Sequence, residues 1–142
     1  MQHLTSPELI IIVLLIIHVI LFLQSGFDKI MNFKENLNWL NGHFATSFFK
    51  NQVRLLLIIL TIMEVATGLT SIAGIAAVIF QGYSMIASLS MLCSLITLTS
   101  LFLGQRVAKD YAGAAALIPY IILSTATFFI INHFSFFIFH DI

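Results

Sequence analysis

Four stretches of about twenty residues each, near 9–28, 53–72, 84–103 and 112–131, run almost free of charge, and polar residues gather in the segments between them. A hydrocarbon core about 30 Å thick takes roughly 20 helical residues to cross. A single span must also satisfy its own backbone amides, which favours helices. No alternating ten-residue pattern of the transmembrane-barrel kind is present. The pattern predicts an all-α fold, a four-helix transmembrane bundle in which residues 1–142 form one membrane domain. Between the first two spans, Phe33, Leu37, Leu40, Phe44 and Phe48 recur at three- and four-residue intervals, while Lys34, Asn36, Asn38 and Asn41 take the other positions. This spacing predicts an amphipathic helix over about 33–49 lying in the membrane interface, with Trp39 at headgroup depth. A partner-binding surface or a lateral gate is the alternative role for that segment. The first span opens with Thr5, Ser6, Pro7 and Glu8, a start signal of cap, proline and acid, and is expected to break around "SGFDK". The run "AGIAAVIFQG" at 73–82 is too apolar for a solvated loop, so it either extends the second helix or dips back into the membrane.

Composition strengthens the membrane reading. Of 142 residues, 60% are hydrophobic and 8% charged, outside the usual range of soluble domains. Six basic and six acidic residues cancel, which gives no ground for a nucleic-acid partner. The basic residues are unevenly placed. Lys29, Lys34, Lys50 and Arg54 surround the first connection and Arg106 and Lys109 lie in the 104–111 connection, with none at 73–83 or beyond the outermost spans. The positive-inside rule puts the 29–54 and 104–111 connections on the cytoplasmic side of a bacterial inner membrane and both termini outside. The first span lacks the basic leader and cleavage site of a removable signal peptide and is expected to persist as a helix. The one cysteine, Cys93, sits in an apolar run and reads as a packing residue.

Ionisable and hydroxyl side chains at membrane depth supply the candidate chemistry, because each must face the bundle or a cavity. Glu64 lies about 16 Å into the second span, on a face shared with Thr61, Gly68 and Ser71. His18 lies about 14 Å from the opposite end of the first span, on a face with Ser25 and Lys29. Tyr120 is about 12 Å into the fourth span, with Gly113, Ala116 and Ser124, and Ser90, Ser94 and Thr97 bring hydroxyls from the third. A polar chamber lined by His18, Glu64, Tyr120, Ser90 and Ser94 is the expectation. In one reading Glu64 hydrogen-bonds His18 and fixes helix register. In the other, the same groups hold the polar head of a lipid-soluble ligand, a quinone or a lipid, and relay a proton. His18 alone lacks the second imidazole a buried haem needs, and His3, His43, His133 and His140 belong near the two surfaces, so no metal site is expected.

The stretch "LFLGQRVAKDYAGAAALIPY" concentrates polar groups in a short hairpin. Arg106 and Asp110 are spaced to pair, Gln105 and Lys109 form a second polar edge, "YAGAAA" permits close helix packing, and Pro119 can kink the last span. With "SGFDKIMNF" after the first span and Glu64 followed by "TG" in the second, this stretch resembles the DoxX-like family of small bacterial membrane proteins. The matching positions are Ser25, Gly26, Asp28, Lys29, Glu64, Gly68, Gln105, Arg106, Lys109 and Asp110. The resemblance implies a membrane bundle loosely associated with redox systems, some relatives being named as subunits of thiosulfate:quinone oxidoreductases. No flavin or nicotinamide fingerprint and no cluster-ligating cysteine set occurs in the chain, so catalysis by it alone is not expected. Three functions stay open. The first is an accessory subunit of a membrane complex, with protein partners or as a homo-oligomer. The second is the quinone-facing subunit of an oxidoreductase whose cofactor sits on another chain, and the third is a proton-coupled transporter of a small solute.

Overall fold

A computed structural model describes residues 4–82 and 85–140, and side chains as far as residue 133. Among these residues the elements are all helical: α1 (Ser6–Met31), α2 (Phe33–His43), α3 (Val53–Gln81), α4 (Met85–Val107) and α5 (Tyr111–His140). Four of them, α1, α3, α4 and the Tyr111–His133 portion of α5, are long and apolar enough to cross a membrane. The chain is thus a multi-pass membrane protein built as a four-helix bundle, with α2 as the extra element between the first two spans.

The bundle is apolar outside and polar within. Ile10, Ile20, Ile62, Ile96 and Ile122 are exposed, whereas Thr61, Ser71, Ser90, Thr97, Ser124 and Thr127 are buried. Acyl chains are as apolar as isoleucine, so the outer face gains little by being covered, and small polar residues let helices approach closely. Many of these hydroxyls are satisfied one turn back along their own helix, as in Thr61 Oγ1 to the Leu57 carbonyl at 2.7 Å and Thr127 Oγ1 to the Leu123 carbonyl at 2.8 Å. α3 packs on α1 along one side and on α4 along the other, and α5 packs on α4 while touching α1 only sparsely. An apolar core of Ile11, Leu15, Val78, Ala87, Met91 and Ile131 closes the end of the bundle away from α2.

Helix ends explain where the elements differ from the sequence expectation. α1 continues through "SGFDK" to Met31 because the Asp28 carboxylate accepts the amides of Asn32 at 2.8 Å and Asn36 at 3.4 Å, stitching α1 to α2. α2 stops at His43, short of 49, as Ser47 caps the following turn by donating to the Phe44 carbonyl and accepting from the Phe49 amide. The apolar run at 73–82 extends α3 to Gln81, where Gly82 ends it with a φ of 78°. Residues 83 and 84, at the end of that connection and the expected start of the third span, lie outside the described residues.

The hairpin between α4 and α5 is a paired stop and start. The Asp110 amide donates to the Gln105 carbonyl at 2.9 Å and the Lys109 amide to the Arg106 carbonyl at 3.2 Å, with Lys109 in the left-handed region at φ 60°. This is the two-bond helix terminus that usually places glycine at the lysine's position. Asp110 then caps α5, its Oδ1 accepting the Gly113 amide at 2.8 Å. The turn takes Asp110 off the α4 helix, so the expected Arg106–Asp110 pair does not form; Arg106 instead lies over the Tyr111 ring, 4.7 Å from its centroid. Replacing Asp110 with Ala should lower stability by about 1 kcal/mol through loss of this cap, whereas Asp110→Asn retains most of it. Reversible unfolding in mixed micelles measures the difference.

Candidate functional site

The deepest charge is Glu64, whose side chain is 1% exposed on the face of α3 turned to α1. Two glycines bring those helices together: a Cβ at Gly26 would stand 2.8 Å from Val65 Cγ2, and one at Gly68 would stand 2.6 Å from Leu23 Cγ. Across this crossing Lys29, in the last turn of α1, reaches back so that its Nζ lies 2.9 Å from Glu64 Oε2 and donates to Oε1 at 3.0 Å. Ser25 completes the cluster, donating to Glu64 Oε1 at 3.0 Å while accepting from Lys29 Nζ at 2.7 Å. Oε2 has the charge of Lys29 beside it but no aligned hydrogen bond. Lys29 remains 16% exposed, so its stem runs along the bundle and its head turns inward, the reverse of an ordinary snorkelling lysine.

His18 forms a second, separate cluster at the middle of α1. Its Nδ1 lies 2.7 Å from the Leu14 carbonyl, its Nε2 2.9 Å from Ser124 Oγ, and Ser124 Oγ 2.8 Å from Ser94 Oγ. A carbonyl only accepts, so Nδ1 carries a hydrogen. In the neutral ring Nε2 then accepts from Ser124, and Ser124 accepts from Ser94, so one chain of donors runs from α4 through α5 to α1. A third tie joins Thr67 and Thr97 hydroxyls 3.0 Å apart, between α3 and α4.

Of the residues expected in one chamber, the structure brings Ser94 to His18 and leaves Glu64 in its own cluster with Lys29. Ser90 is buried and donates to the Ala87 carbonyl at 2.8 Å. Tyr120 is 41% exposed and stands outside both clusters, on a helix that packs mainly on α4 and only sparsely on α1. Asp28 is engaged with Asn32 and Asn36, and Lys109 and Asp110 build the α4–α5 turn. Cys93 is half-buried as a free thiol, and among the described residues no three His, Cys, Asp or Glu side chains are grouped to hold a metal. His3 and the side chain of His140 lie outside the described residues.

Two features escaped the sequence reading. One is the pairing of Lys29 with Glu64, for which the signal was there: Ser25 and Lys29 are four apart on the inward stripe of α1, and a lysine stem spans the turn between them. The other is an apolar cleft of about 290 Å³ at the end of the bundle that carries α2, lined by Phe44 and Phe49 after α2, Leu57 and Leu60 of α3, and Leu101 and Gln105 of α4. His43 holds its rim, with Nε2 3.2 Å from Gln105 Oε1 and 3.4 Å from Asp110 Oδ2, and its ring stacks on Trp39 at 4.5 Å.

Compared with family models, with curated proteins and with solved structures, the chain matches none. The site is therefore interpreted from its own geometry. A buried ion pair loses most when one partner is removed and the other stays behind as an uncompensated charge. Lys29→Met is expected to destabilise by about 3–5 kcal/mol, while Lys29→Met combined with Glu64→Leu recovers most of that loss. A double-mutant cycle by unfolding in mixed micelles checks it, and a double-variant loss equal to the sum of the two single-variant losses would show that the pair contributes nothing. Nitrogen-15 NMR of labelled histidine should find a pyrrole-type Nδ1 and a pyridine-type Nε2 at His18.

Proposed function

We propose that this chain is an accessory subunit of a bacterial inner-membrane complex, a binding and assembly component whose basic end faces the cytoplasm. The observation that carries the reading is that its two buried ionisable groups are engaged inside the bundle by neighbouring side chains and backbone, Glu64 Oε2 resting on the charge of Lys29 alone. Glu64 is clamped by Lys29 and Ser25, and His18 by Ser124 and the Leu14 carbonyl, so each group ties helices together and is already partnered. A catalytic or transport site needs such a group turned toward a space where substrate or solute can stand. The apolar cleft has neither Glu64 nor His18 in its wall. The resemblance of "SGFDKIMNF" and "LFLGQRVAKDYAGAAALIPY" to DoxX-like proteins supports association with redox enzymes, and the distribution of basic residues supports the orientation. The exposed apolar faces of the spans suit packing against other subunits or a second copy as well as lipid.

A second reading, the quinone-facing subunit of an oxidoreductase, draws on the cleft. A lipid-soluble ligand, whether quinone or lipid, would enter there by its hydrocarbon portion, since the cleft wall is apolar and the polar clusters are closed on themselves. Native purification with mass spectrometry of proteins and lipids separates the readings. The accessory role predicts partner proteins that stay bound when Lys29 and Glu64 are both intact and dissociate when the α1–α3 crossing is disrupted by Gly68→Leu. A copurifying flavoprotein together with stoichiometric quinone would favour the quinone-facing role, and proton-gradient-driven solute flux in vesicles would overturn both.

A further inference from the structure

The cleft at the α2 end has a shape and a charge setting that go beyond its being apolar. Its wall contains Ile59 and Leu103, both also exposed on the outside of the bundle, so it opens sideways between α3 and α4 toward acyl chains. At about 290 Å³ it sits at the small end of the roughly 300–1,000 Å³ typical of ligand pockets, room for the leading portion of one hydrocarbon chain. Inside a bilayer an acyl chain gains almost nothing by exchanging lipid neighbours for leucine, so occupancy must be decided at the polar end.

That end is basic. Lys50, Arg54 and Arg106 are the chain neighbours of the lining residues Phe49, Val53 and Gln105, and all three are exposed. The acid beside the rim, Asp110, is already engaged by the Gly113 amide and His43. Gln105 lines the cleft and presents an amide at its mouth, and His43 ties the end of α2 to that amide, so that Phe44 is held over the opening. A negatively charged headgroup at this end of the cleft would meet three exposed cations, each next in the chain to a lining residue.

We infer that the α2–α3–α4 cleft binds one acyl chain of an anionic glycerophospholipid, whose phosphate is drawn to Lys50, Arg54 and Arg106. The inference deepens the lipid reading of the cleft given above and rests on it, but not on the accessory role. Each basic side chain near an anionic lipid surface favours binding by about fivefold, equivalent to about 1 kcal/mol.

The test uses the full chain in vesicles of zwitterionic phosphatidylcholine carrying a trace of one of two probes. Both probes have the same diazirine-bearing acyl chain, on phosphatidylglycerol in one and on phosphatidylcholine in the other. After photolysis, peptide mapping should find residues 53–63 and 100–105 labelled at least about fivefold more by the anionic probe at equal mole fraction. Lys50→Gln, Arg54→Gln and Arg106→Gln together, changes at exposed positions, should bring the anionic probe down to the zwitterionic level. Leu60→Trp, which fills the cleft, should remove labelling there by both probes, and Ile62→Trp on the outer face should not. Equal labelling by the two probes would overturn the inference, as would labelling that survives Leu60→Trp in protein shown folded by circular dichroism. Displacement of the anionic probe by an equal mole fraction of a short-chain quinone would also overturn it, in favour of a quinone. Loss of selectivity with the partner complex still intact would sink this inference alone. Uniform labelling together with loss of all copurifying protein would take the accessory role down as well.

Discussion

A carboxylate on the inner face of α3, far from water, needs a cation and donors supplied by protein, and the arrangement of the bundle follows from meeting that need at Glu64. The cation is Lys29, which can reach only if α1 remains helical to its last turn and lies close against α3. Closeness comes from Gly26 and Gly68, each occupying a spot where a Cβ would run into the opposite helix. Helicity to the last turn comes from Asp28, which accepts the amides of Asn32 and Asn36 and in doing so sets α2 immediately after α1. The short reach from α2 to α3 then places Phe44 and Phe49 over the α3–α4 groove, and the cleft is the space beneath them. One buried charge thus leads, through two glycines and an asparagine stitch, to the feature most suited to a ligand.

The remaining helix pairs are tied by smaller polar contacts. α1 meets α5 through His18 and Ser124, α3 meets α4 through Thr67 and Thr97, and α4 meets α5 through Ser94 with Ser124 and Ser88 with Asn132. Interhelical hydrogen bonds of this kind average only about 0.6 kcal/mol in membrane proteins. Their value is register: an acyl environment does not penalise a helix that rotates an isoleucine outward, but it does penalise a hydroxyl or imidazole turned into lipid. The apolar cluster around Leu15 and Met91 closes the far end by packing, where dispersion contacts between interlocking side chains do the holding.

The spans, their number and the inward facing of Glu64 and His18 were legible in the sequence, because length against membrane thickness and the cost of burying polar groups leave few alternatives. Thr61, Glu64, Gly68 and Ser71 share a face by spacing, and all four are buried. What periodicity does not carry is which helix stands opposite. His18 and Glu64 were matched by depth, yet Glu64 faces α1 at the turn of Ser25 and Lys29, and His18 looks toward α5. Tyr120 failed to join either for the same kind of reason. Its stripe with Ser124 is real along α5, and Ser124 is buried against His18 and Ser94, but one turn earlier Tyr120 lies beyond that contact and is 41% exposed. The hairpin was misread in detail because an i, i+4 pair presumes a continuous helix, and Lys109 in the left-handed region breaks it between Arg106 and Asp110.

α3 separates the two polar-end features of the bundle. Met63 and Glu64 are consecutive, so their side chains leave the helix about 100° apart; one lines the cleft and the other meets Lys29. The clamp and the cleft therefore share a backbone without sharing a surface. A ligand entering beside Leu60 and Met63 presses on the α3–α4 groove and on the strap formed by Phe44 and Phe49, while the α1–α3 crossing behind it is held by an ion pair and by close packing at Gly26 and Gly68. On the opposite side of the cleft the restraint is the His43 imidazole, set against Gln105 and Asp110, at the end of a helix none of whose residues is buried. Stiffness and compliance are distributed accordingly: the wall carrying the charge stays fixed, and whatever room an occupant requires must come from α2.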